Sequence, residues 1–292
     1  MNGLNGILPI DKPEGPTSHD VVSRARRALG LRRIGHSGTL DPFASGLLLL
    51  CLGPATRLAE YLAELPKTYR ATMRLGAATD TDDPTGNVLA RSDAWTSLSD
   101  AEVRAALARQ VGEIQQLPPR YSAKKVQGQR LYAAARRGED VERKPNPVTI
   151  YDLRVERVAL PEVDFAVECG AGTYIRAIAR DAGDALGVGA HLTRLRRTRV
   201  GSFPVESALA LDRLDDRAAV AAALLSPAAA VAHLPGVTVD AAGAAALAHG
   251  RPVPAPPELA ADQTVALLSA SGELLAVGDT RGGSVHPRKV FA

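Results

Sequence analysis

The sequence predicts an α+β fold, in which helices and strands mix without a regular β-α-β repeat. Residues 67–76, KTYRATMRLG, alternate apolar and polar side chains, as a half-buried strand does. Residues 99–112, SDAEVRAALARQVG, repeat apolar side chains at helical spacing. The sequence has no GxGxxG or GxxxxGK loop, which argues against a doubly wound nucleotide-binding fold.

The first half of the chain carries clear helix signals. Thr17 and Asp20 form a capping box that starts a helix running toward Gly30. Ser99 caps the 99–112 helix, which we expect to end at its final glycine. Residues 118–147 then have prolines at both ends and positive charge between them, which indicates an excursion from the core.

The second half adds a strand, a helix and a separate module. Residues 163–169 alternate as a strand, and we expect the next helix to begin with Thr173 as its N-cap. A change of composition near Leu234 indicates a domain boundary. Beyond it we expect a strand at 237–239, an alanine-rich helix and a hairpin about residues 271–272, which make a small β-rich module.

The composition is that of an ordinary globular protein. The chain has 292 residues, of which 46% are hydrophobic and 23% charged, and it can bury a substantial core without staples. The most apolar run, residues 46–53, is far shorter than the ~20 residues of a spanning helix, and the N-terminus lacks a signal-peptide layout. We therefore expect a cytoplasmic protein that is not bound to a membrane.

The two cysteines predict neither a disulfide nor a metal site. Cys51 and Cys169 lie far apart, each in an apolar stretch, which favours buried free thiols. The chain has no HExxH or CxxC pattern. We expect no bound metal.

Positive charge is concentrated in two segments. Residues 120–145 contain eight Lys or Arg against three acidic residues, a balance of +5, and residues 176–199 have six Arg against two Asp, a balance of +4. Paired basic segments suit a polyanionic partner such as a nucleic acid. The alternative is two solvated faces, which charge alone does not exclude.

Asp41 is the first candidate for chemistry. It lies within HSGTLDPFASG (36–46), and Pro42 disfavours the helical conformation for the residue before it. The glycines nearby allow a tight turn that fixes one carboxylate in place. The alternative is an aspartate that only caps or solvates a turn, and this segment alone favours that alternative.

Tyr69 and Arg176 are the other two candidates. Tyr69 is by default a core aromatic residue, and it gains interest only if it lies beside Asp41. Arg176 falls in the first turn of its helix, where the macrodipole disfavours a cation by roughly 0.3–1 kcal/mol, so a carboxylate or a phosphate should compensate it. Exposure to solvent would make that cost trivial. We expect the acidic segment TDTDDPTG (79–86) to be a solvated turn, because it lacks the glycine position of a calcium loop.

Six segments resemble, in order and spacing, the motifs of the TruB family of tRNA pseudouridine synthases, which isomerise uridine 55 in the T loop. They are GILPIDKPEGPTS (6–18), GHSGTLDPFASG (35–46), KTYRATMRLG (67–76), PPRYSAKK (118–125), GTYIRAIARDAG (172–183) and LRRTRVGSF (195–203). The resemblance covers essentially residues 6–203. Phe43 and Ser45 depart from the commoner leucine and threonine, and these mild exchanges leave the role of Asp41 unaffected.

The resemblance implies a pseudouridine synthase catalytic fold with a mixed, mainly antiparallel sheet in residues 1–233. A basic, thumb-like insertion at about 120–145 would close on RNA, and residues 234–292 would form a small β-rich, PUA-like RNA-binding domain. The implied partner is the T stem-loop of tRNA, with no obligatory protein partner.

The resemblance also assigns roles to residues. Asp41 would be the nucleophile, Arg176 its salt-bridge partner, and Tyr69 would stack on the target base and remove the proton from its C5. Tyr174 and Leu195 would line the uridine pocket. His36 would occupy the space that the base vacates in the loop. The remaining implied RNA-binding residues are Lys12, which would pack under the site, and the thumb residues Lys124, Lys125, Arg136 and Arg137.

The implied reaction needs no cofactor and no metal, because it changes no oxidation state and transfers no phosphoryl group. The target nucleotide must leave its stack to be reached. Two alternatives stay open: a guide-dependent synthase of the same superfamily, and a non-catalytic tRNA chaperone. PPRYSAKK and the basic insertion speak against the first alternative. A chaperone would lose nothing if Asp41 were neutralised.

Overall fold

The computed structural model describes residues 4–121 and 143–291, together with the backbone of residues 125–126 and 129–130. The side chains of the predicted thumb residues Lys124, Lys125, Arg136 and Arg137 lie outside this part of the chain. In the described part, helices and strands mix without a β-α-β repeat, so the predicted α+β class is confirmed.

The described helices and strands have the following bounds. The helices are α1 (Ser18–Leu29), α2 (Ala59–Glu64), α3 (Asp100–Ala108), α4 (Ile175–Ala185), α5 (Arg217–Ala223) and α6 (Ala241–Ala248). The strands are β1 (Gly6–Lys12), β2 (Ile34–His36), β3 (Ser45–Leu52), β4 (Lys67–Leu75), β5 (Ala77–Thr79), β6 (Val88–Arg91), β7 (Gly112–Gln116), β8 (Lys125–Val126), β9 (Gln129–Arg130), β10 (Asn146–Ala159), β11 (Glu162–Cys169), β12 (Ala190–Val200), β13 (Phe203–Pro204), β14 (Leu209–Ala210), β15 (Gly236–Thr238), β16 (Val253–Pro254), β17 (Thr264–Leu268), β18 (Leu274–Arg281) and β19 (Ser284–Val290). None of the described helices has the length and apolar character needed to cross a membrane.

The larger sheet has ten strands and is mainly antiparallel. Eight of them follow the order β14-β1-β3-β12-β4-β11-β10-β7, while β13 pairs with β12 and β2 with β3. The pairs β1–β14 and β3–β12 are parallel, and the other pairs of this sheet are antiparallel. The expected mixed, mainly antiparallel sheet is therefore present.

The middle of this sheet forms the core and carries the cleft. The apolar run at 47–52 is β3, and its side chains are completely buried on both faces of the sheet. Helix α3 packs against β10, and helix α4 packs against β12 and β4. Their apolar side chains share one cluster with Met73 and Phe165, which are also fully buried. Strands β4 and β12 pair with each other in this part of the sheet, and side chains of both strands line the cleft described below.

A second sheet follows in the C-terminal part of the chain. Its five strands have the order β15-β17-β18-β19-β16. The predicted hairpin between β17 and β18 is confirmed, and Gly272 takes a φ of 81° in its turn, a value that suits glycine. The alanine-rich helix is α6. Apolar side chains of this sheet, such as Val277, join a cluster that includes Leu58 and Leu62 of the first part of the chain.

The local helix signals predicted both ends of α1 and the start of α3, but not the end of α3. Thr17 makes the predicted capping box with Asp20. Ser99 is the predicted N-cap of α3, and it also forms a capping box, with Glu102. Helix α3, however, ends at Ala108, and the glycine expected to terminate it is instead the first residue of β7, with a φ of 104°. The apolar spacing typical of a helix continues in the sequence beyond Ala108, but the chain leaves the helix there and pairs with β10 from Gly112 onward.

Candidate active site

A cleft of about 290 Å³ opens beside β4 and β12. Its lining comes from four parts of the chain: the loop at 37–41, the segment at 63–69, the loop and helix start at 170–176, and β12. The lining residues with charged side chains are Asp41, Lys67, Arg176 and Arg197. The volume is close to the lower end of the ~300–1,000 Å³ of typical small-ligand sites, which suits one small group of a larger ligand.

Asp41 and Arg176 form an ion pair at the floor of this cleft. Nη2 of Arg176 donates to Oδ1 of Asp41 at 3.1 Å, and Nε lies 2.9 Å from Oδ2. The side chain of Arg176 is only 4% exposed, whereas that of Asp41 is 32% exposed. Arg176 therefore holds the carboxylate from below while one side of the carboxylate stays open to the cleft.

The remaining donors of Arg176 bind a buried carboxylate and two backbone carbonyls. Nη1 donates to Oδ2 of Asp83 at 3.2 Å and to the carbonyl of Thr81 at 2.8 Å, and Nη2 also donates to the carbonyl of Tyr121 at 2.9 Å. Arg176 is the second residue of α4, where the helix dipole disfavours a cation. Asp41 and Asp83 supply the compensating negative charge.

The 79–86 segment is not the solvated turn that its sequence predicts. Asp82 and Asp83 are 8% and 5% exposed, and they pair with Arg180 and Arg176 of α4. The local sequence is polar, but its partners lie more than 90 residues further along the chain. Asp83 is thus a site residue that the sequence analysis missed.

The loop that carries Asp41 is fastened from beneath. Lys12, with no exposed surface, donates from Nζ to the carbonyls of Pro13 and Pro16 at 2.9 Å and of Pro42 at 3.4 Å. Burial lowers the pKa of Lys12 to about 8. The hydroxyl of Ser18 accepts from the amide of Leu40 and donates to its carbonyl. These contacts fit the packing role expected for Lys12 under the site.

Arg197 fastens the same loop from the side of β12. Its Nε donates to the carbonyl of Leu47 at 2.7 Å and its Nη2 to the carbonyl of Gly38 at 3.2 Å, and the side chain is 2% exposed. Gly46 permits this close approach, because a Cβ there would lie 2.2 Å from the carbonyl oxygen of Arg197. The sequence analysis counted Arg197 only as part of a basic segment, because its partners are backbone carbonyls that no pattern reveals.

Tyr69 and Leu195 lie on neighbouring strands and both line the cleft. They belong to β4 and β12, face the same side, and are 8% and 6% exposed. Burial raises the pKa of the Tyr69 hydroxyl, and the charge of Arg197 opposes that rise. Tyr69 thus meets the condition set by the sequence analysis, since it shares a cleft with Asp41.

Tyr174 lines the cleft and is itself the N-cap of α4, so the predicted N-cap Thr173 is wrong. Gln116 of β7 binds both backbone groups of Tyr174, accepting from its amide at 2.8 Å and donating to its carbonyl at 3.1 Å. The hydroxyl of Thr173 instead donates to the carbonyl of Gly170. A contact across 58 residues, which local sequence cannot show, therefore sets where the helix begins.

His36 and Lys67 complete the surroundings. His36 is partly exposed on β2 and is not among the lining residues of the cleft; burial lowers its pKa, and its Nδ1 accepts from the amide of Gly38. Lys67 does line the cleft, donates to the carbonyls of Ala63 and Leu65, and has its pKa lowered to about 8 by burial. Sequence analysis missed Lys67.

The electrostatics of the site centre on Asp41. Burial raises the pKa of its carboxyl group above the ordinary value, Asp83 adds to that rise, and Arg176 acts against it. A carboxylate with a raised pKa and a fixed orientation is suited to act as a nucleophile or a base. In the described part of the chain, no three His, Cys, Asp or Glu side chains converge in a way that could hold a metal ion.

Comparisons with known proteins place this fold and cleft in a class. Residues 26–175 match the model of the TruB family pseudouridylate synthase N-terminal domain, and residues 176–229 match the tRNA pseudouridylate synthase B C-terminal domain. The chain is thus a pseudouridine synthase, an enzyme of the isomerase class. More narrowly, it belongs to the TruB family.

Full-length relatives and solved structures agree with this placement. Proteins named tRNA pseudouridine synthase B from Arthrobacter sp. (strain FB24) and Thermobifida fusca (strain YX) are 44% and 45% identical, over 99% of this chain and 97% and 99% of theirs. The structure of a Cbf5-Nop10-Gar1 complex contains a chain that is 31% identical with a TM-score of 0.78, covering 98% of this chain and 85% of that one. A chain in an H/ACA RNP bound to a substrate RNA containing 2'-deoxyuridine is 29% identical, with a TM-score of 0.77 and the same coverage.

Proposed function

We propose that the protein isomerises uridine 55 in the T loop of tRNA to pseudouridine, with Asp41 as the nucleophile. The observation that carries this proposal is the Asp41–Arg176 pair at the floor of a cleft open to solvent. The names of the relatives support tRNA as the substrate, and the order and spacing of the six sequence motifs support position 55.

The isomerisation of uridine to pseudouridine rearranges bonds within one nucleotide. The bond from C1′ of the ribose to N1 of uracil breaks, a bond from C1′ to C5 forms, C5 loses a proton and N1 gains one. Atoms and electrons balance without an added reagent, so side chains that supply a nucleophile and a base for the C5 proton suffice. Attack of Asp41 on C1′ or on C6 gives the same overall balance, and Arg176 orients the carboxylate in either case.

The side chains around Asp41 suit an extruded base. A nucleotide must leave its stack to enter the cleft, and Tyr69 offers it an aromatic face while Leu195 and Tyr174 form apolar walls. Once the new C1′–C5 bond has formed, a base must remove the proton from C5, and we assign this step to Tyr69. Burial raises the pKa of the Tyr69 hydroxyl and the positive charge of Arg197 opposes that rise, so Arg197 is the group that would stabilise the phenolate that this step requires.

Two parts of the chain would hold the rest of the RNA. We assign the catalytic role to residues 1–233, closure on the RNA to the basic segment at about 120–145, and a PUA-like RNA-binding role to residues 234–292. Eight basic residues in the 120–145 segment support the second assignment, because phosphate neutralisation supplies much of the affinity for RNA.

Mass-spectrometric mapping of pseudouridine in an unmodified tRNA transcript treated with the purified chain tests the proposal. We expect pseudouridine at position 55 with the wild-type protein alone, and none with Asp41→Asn, which should fold and bind tRNA normally. A guide-dependent enzyme would leave the bare transcript unmodified. Substantial turnover by Asp41→Asn would overturn the assignment of the nucleophile.

A further inference from the structure

The end of the chain is fastened to the segment that precedes β4. Lys289 of β19 places its Nζ 2.6 Å from Oε1 of Glu60, donates to the carbonyl of Arg57, and lies 4.9 Å from the ring centroid of Tyr61. Its side chain is only 18% exposed. A single ammonium group of the C-terminal sheet thus meets a carboxylate, a carbonyl and an aromatic face on one short segment.

Arg57 makes the reciprocal contact. Its Nη1 donates to the carbonyl of Val290 at 2.7 Å, and its guanidinium lies 5.2 Å from the ring centroid of Phe291, within the range of a cation–π interaction. Beneath these polar contacts, Leu58 and Leu62 share an apolar cluster with Val277. The C-terminal sheet and the segment at 57–62 are therefore joined by apolar, ionic and aromatic contacts together.

The fastened segment continues directly into the catalytic cleft. Helix α2 ends at Glu64, and Ala63, one residue earlier, lines the cleft beside Lys67 and Tyr69. Lys67 donates to the carbonyls of Ala63 and Leu65, groups at the end of α2 that have no partner within the helix. One wall of the cleft is thus held from inside by Lys67 and from outside by the C-terminal sheet.

We propose that Lys289 is a positioning residue: through α2 it fixes the wall of the cleft formed by Ala63 and Lys67, next to the strand that carries Tyr69. The C-terminal sheet then contributes to the chemical step as well as to any contact with RNA. This inference rests on the proposed function, because the wall it describes is the wall of the uridine pocket.

Steady-state kinetics of Lys289→Met on two substrates test the proposal. We expect kcat to fall about tenfold, less than the ~100-fold that a 1 Å misplacement of a reacting group can cause, with KM little changed. The fall should be the same on a full-length tRNA transcript and on a hairpin that contains only the T stem and loop, because the defect lies in the cleft. Arg288→Met is the matched control: Arg288 pairs with Asp279 inside the C-terminal sheet, so its removal should leave kcat at the wild-type value on both substrates.

Other outcomes contradict the proposal. If Lys289 served only to contact RNA, its removal would raise KM on the full-length transcript and spare the hairpin. An unchanged kcat on both substrates would also overturn it. Should Lys289→Met fail to fold, Glu60→Gln removes the same ion pair from the other side of the interface, and the same loss of kcat is expected.

Hydrogen exchange separates this inference from the proposed function. Amides of residues 62–67 should exchange faster in Lys289→Met than in the wild type and in Arg288→Met. Unchanged exchange would refute the positioning role, whether or not the wild-type chain forms pseudouridine. A wild-type chain that forms no pseudouridine, with faster exchange in Lys289→Met, would refute the proposed function alone.

Discussion

Arg176 and Arg180 lie one turn apart on α4, and each binds an aspartate of the 79–86 segment together with a backbone carbonyl from residues 117–121. Arg180 completes its set with Asp181, its own neighbour on the helix. Arg176 instead reaches Asp41, 135 positions away in the sequence and open to the cleft. The first turn of α4, which carries Arg176, and the next turn, which carries Arg180, thus make similar contacts. They differ in one partner: Arg176 binds a carboxylate that is open to the cleft, whereas Arg180 binds its neighbour Asp181.

This difference shows how an ion pair that holds two segments together can also form part of an active site. Arg180, Asp82 and Asp181 hold the segment against the helix, and burial raises the pKa of both aspartates while Arg180 opposes that rise. The first turn performs the same fastening through Asp83. It has an additional carboxylate, and only that carboxylate is exposed at the cleft.

The largest difference in turnover within this comparison should appear when each of the two arginines is replaced by lysine. A lysine cannot reproduce the forked contacts of an arginine. We expect Arg176→Lys to lower kcat by about 10²- to 10³-fold, a loss typical of removing one preorganised donor from an active site. Single-turnover pseudouridine formation measures this directly.

Arg180→Lys is the matched control for that experiment. It should keep kcat near the wild-type value and lower the free energy of unfolding by about 1–3 kcal/mol, the cost of leaving a buried polar group without its partner. Equal losses of kcat in the two variants would show that the turns do not differ in function.

The two aspartates offer a second, smaller contrast. Asp83→Asn removes a charge that binds Arg176, and we expect kcat to fall by about tenfold or somewhat more, since hydrogen bonds to charged groups contribute about 1.5–3 kcal/mol. Asp82→Asn should affect stability more than turnover. A chemical denaturation curve beside the kinetic measurement distinguishes the two results.

How far the sequence predicts this arrangement depends on how local each signal is. The capping box at Thr17, the alternation of β4 and the hairpin near Gly272 depend on residues close together in the chain, and the structure contains all three. The motif order led to Asp41 and Arg176 as a pair. Their contact could be expected from the resemblance and from the charge left uncompensated at a helix start.

The rest of the site depends on contacts between distant segments. The acidic segment at 79–86 has no apolar side chains to predict burial, and α4 buries Asp82 and Asp83 only because the fold brings its arginines to them. Gln116, which lies on β7, likewise binds the backbone of Tyr174, and α4 has its N-cap there, one residue later than the sequence predicts. Arg197 binds carbonyls, which every residue possesses, so its role leaves no trace in composition or spacing.

The smallest expected effect is a shift of the pH profile. Activity that needs ionised Asp41 should fall about tenfold per pH unit below the pKa of that group, which burial raises above an ordinary aspartate. Asp83 contributes to the raised pKa. In Asp83→Asn the acid limb of kcat should therefore move to lower pH, whereas Asp82→Asn should leave it in place. An acid limb that moves equally in Asp83→Asn and Asp82→Asn would show that the two turns of α4 do not differ in their effect on Asp41.

The most direct test of the account is a ¹³C NMR titration of the Asp41 carboxyl group in the wild-type protein, in Arg176→Gln and in Arg180→Gln. We predict a pKa above that of an ordinary aspartate in the wild type, a further rise in Arg176→Gln because a neighbouring guanidinium lowers the pKa of a carboxylate, and the wild-type value in Arg180→Gln. A titration that is unchanged in Arg176→Gln, or that moves as far in Arg180→Gln, would contradict the claim that Arg176, and not Arg180, stabilises the ionised form of Asp41.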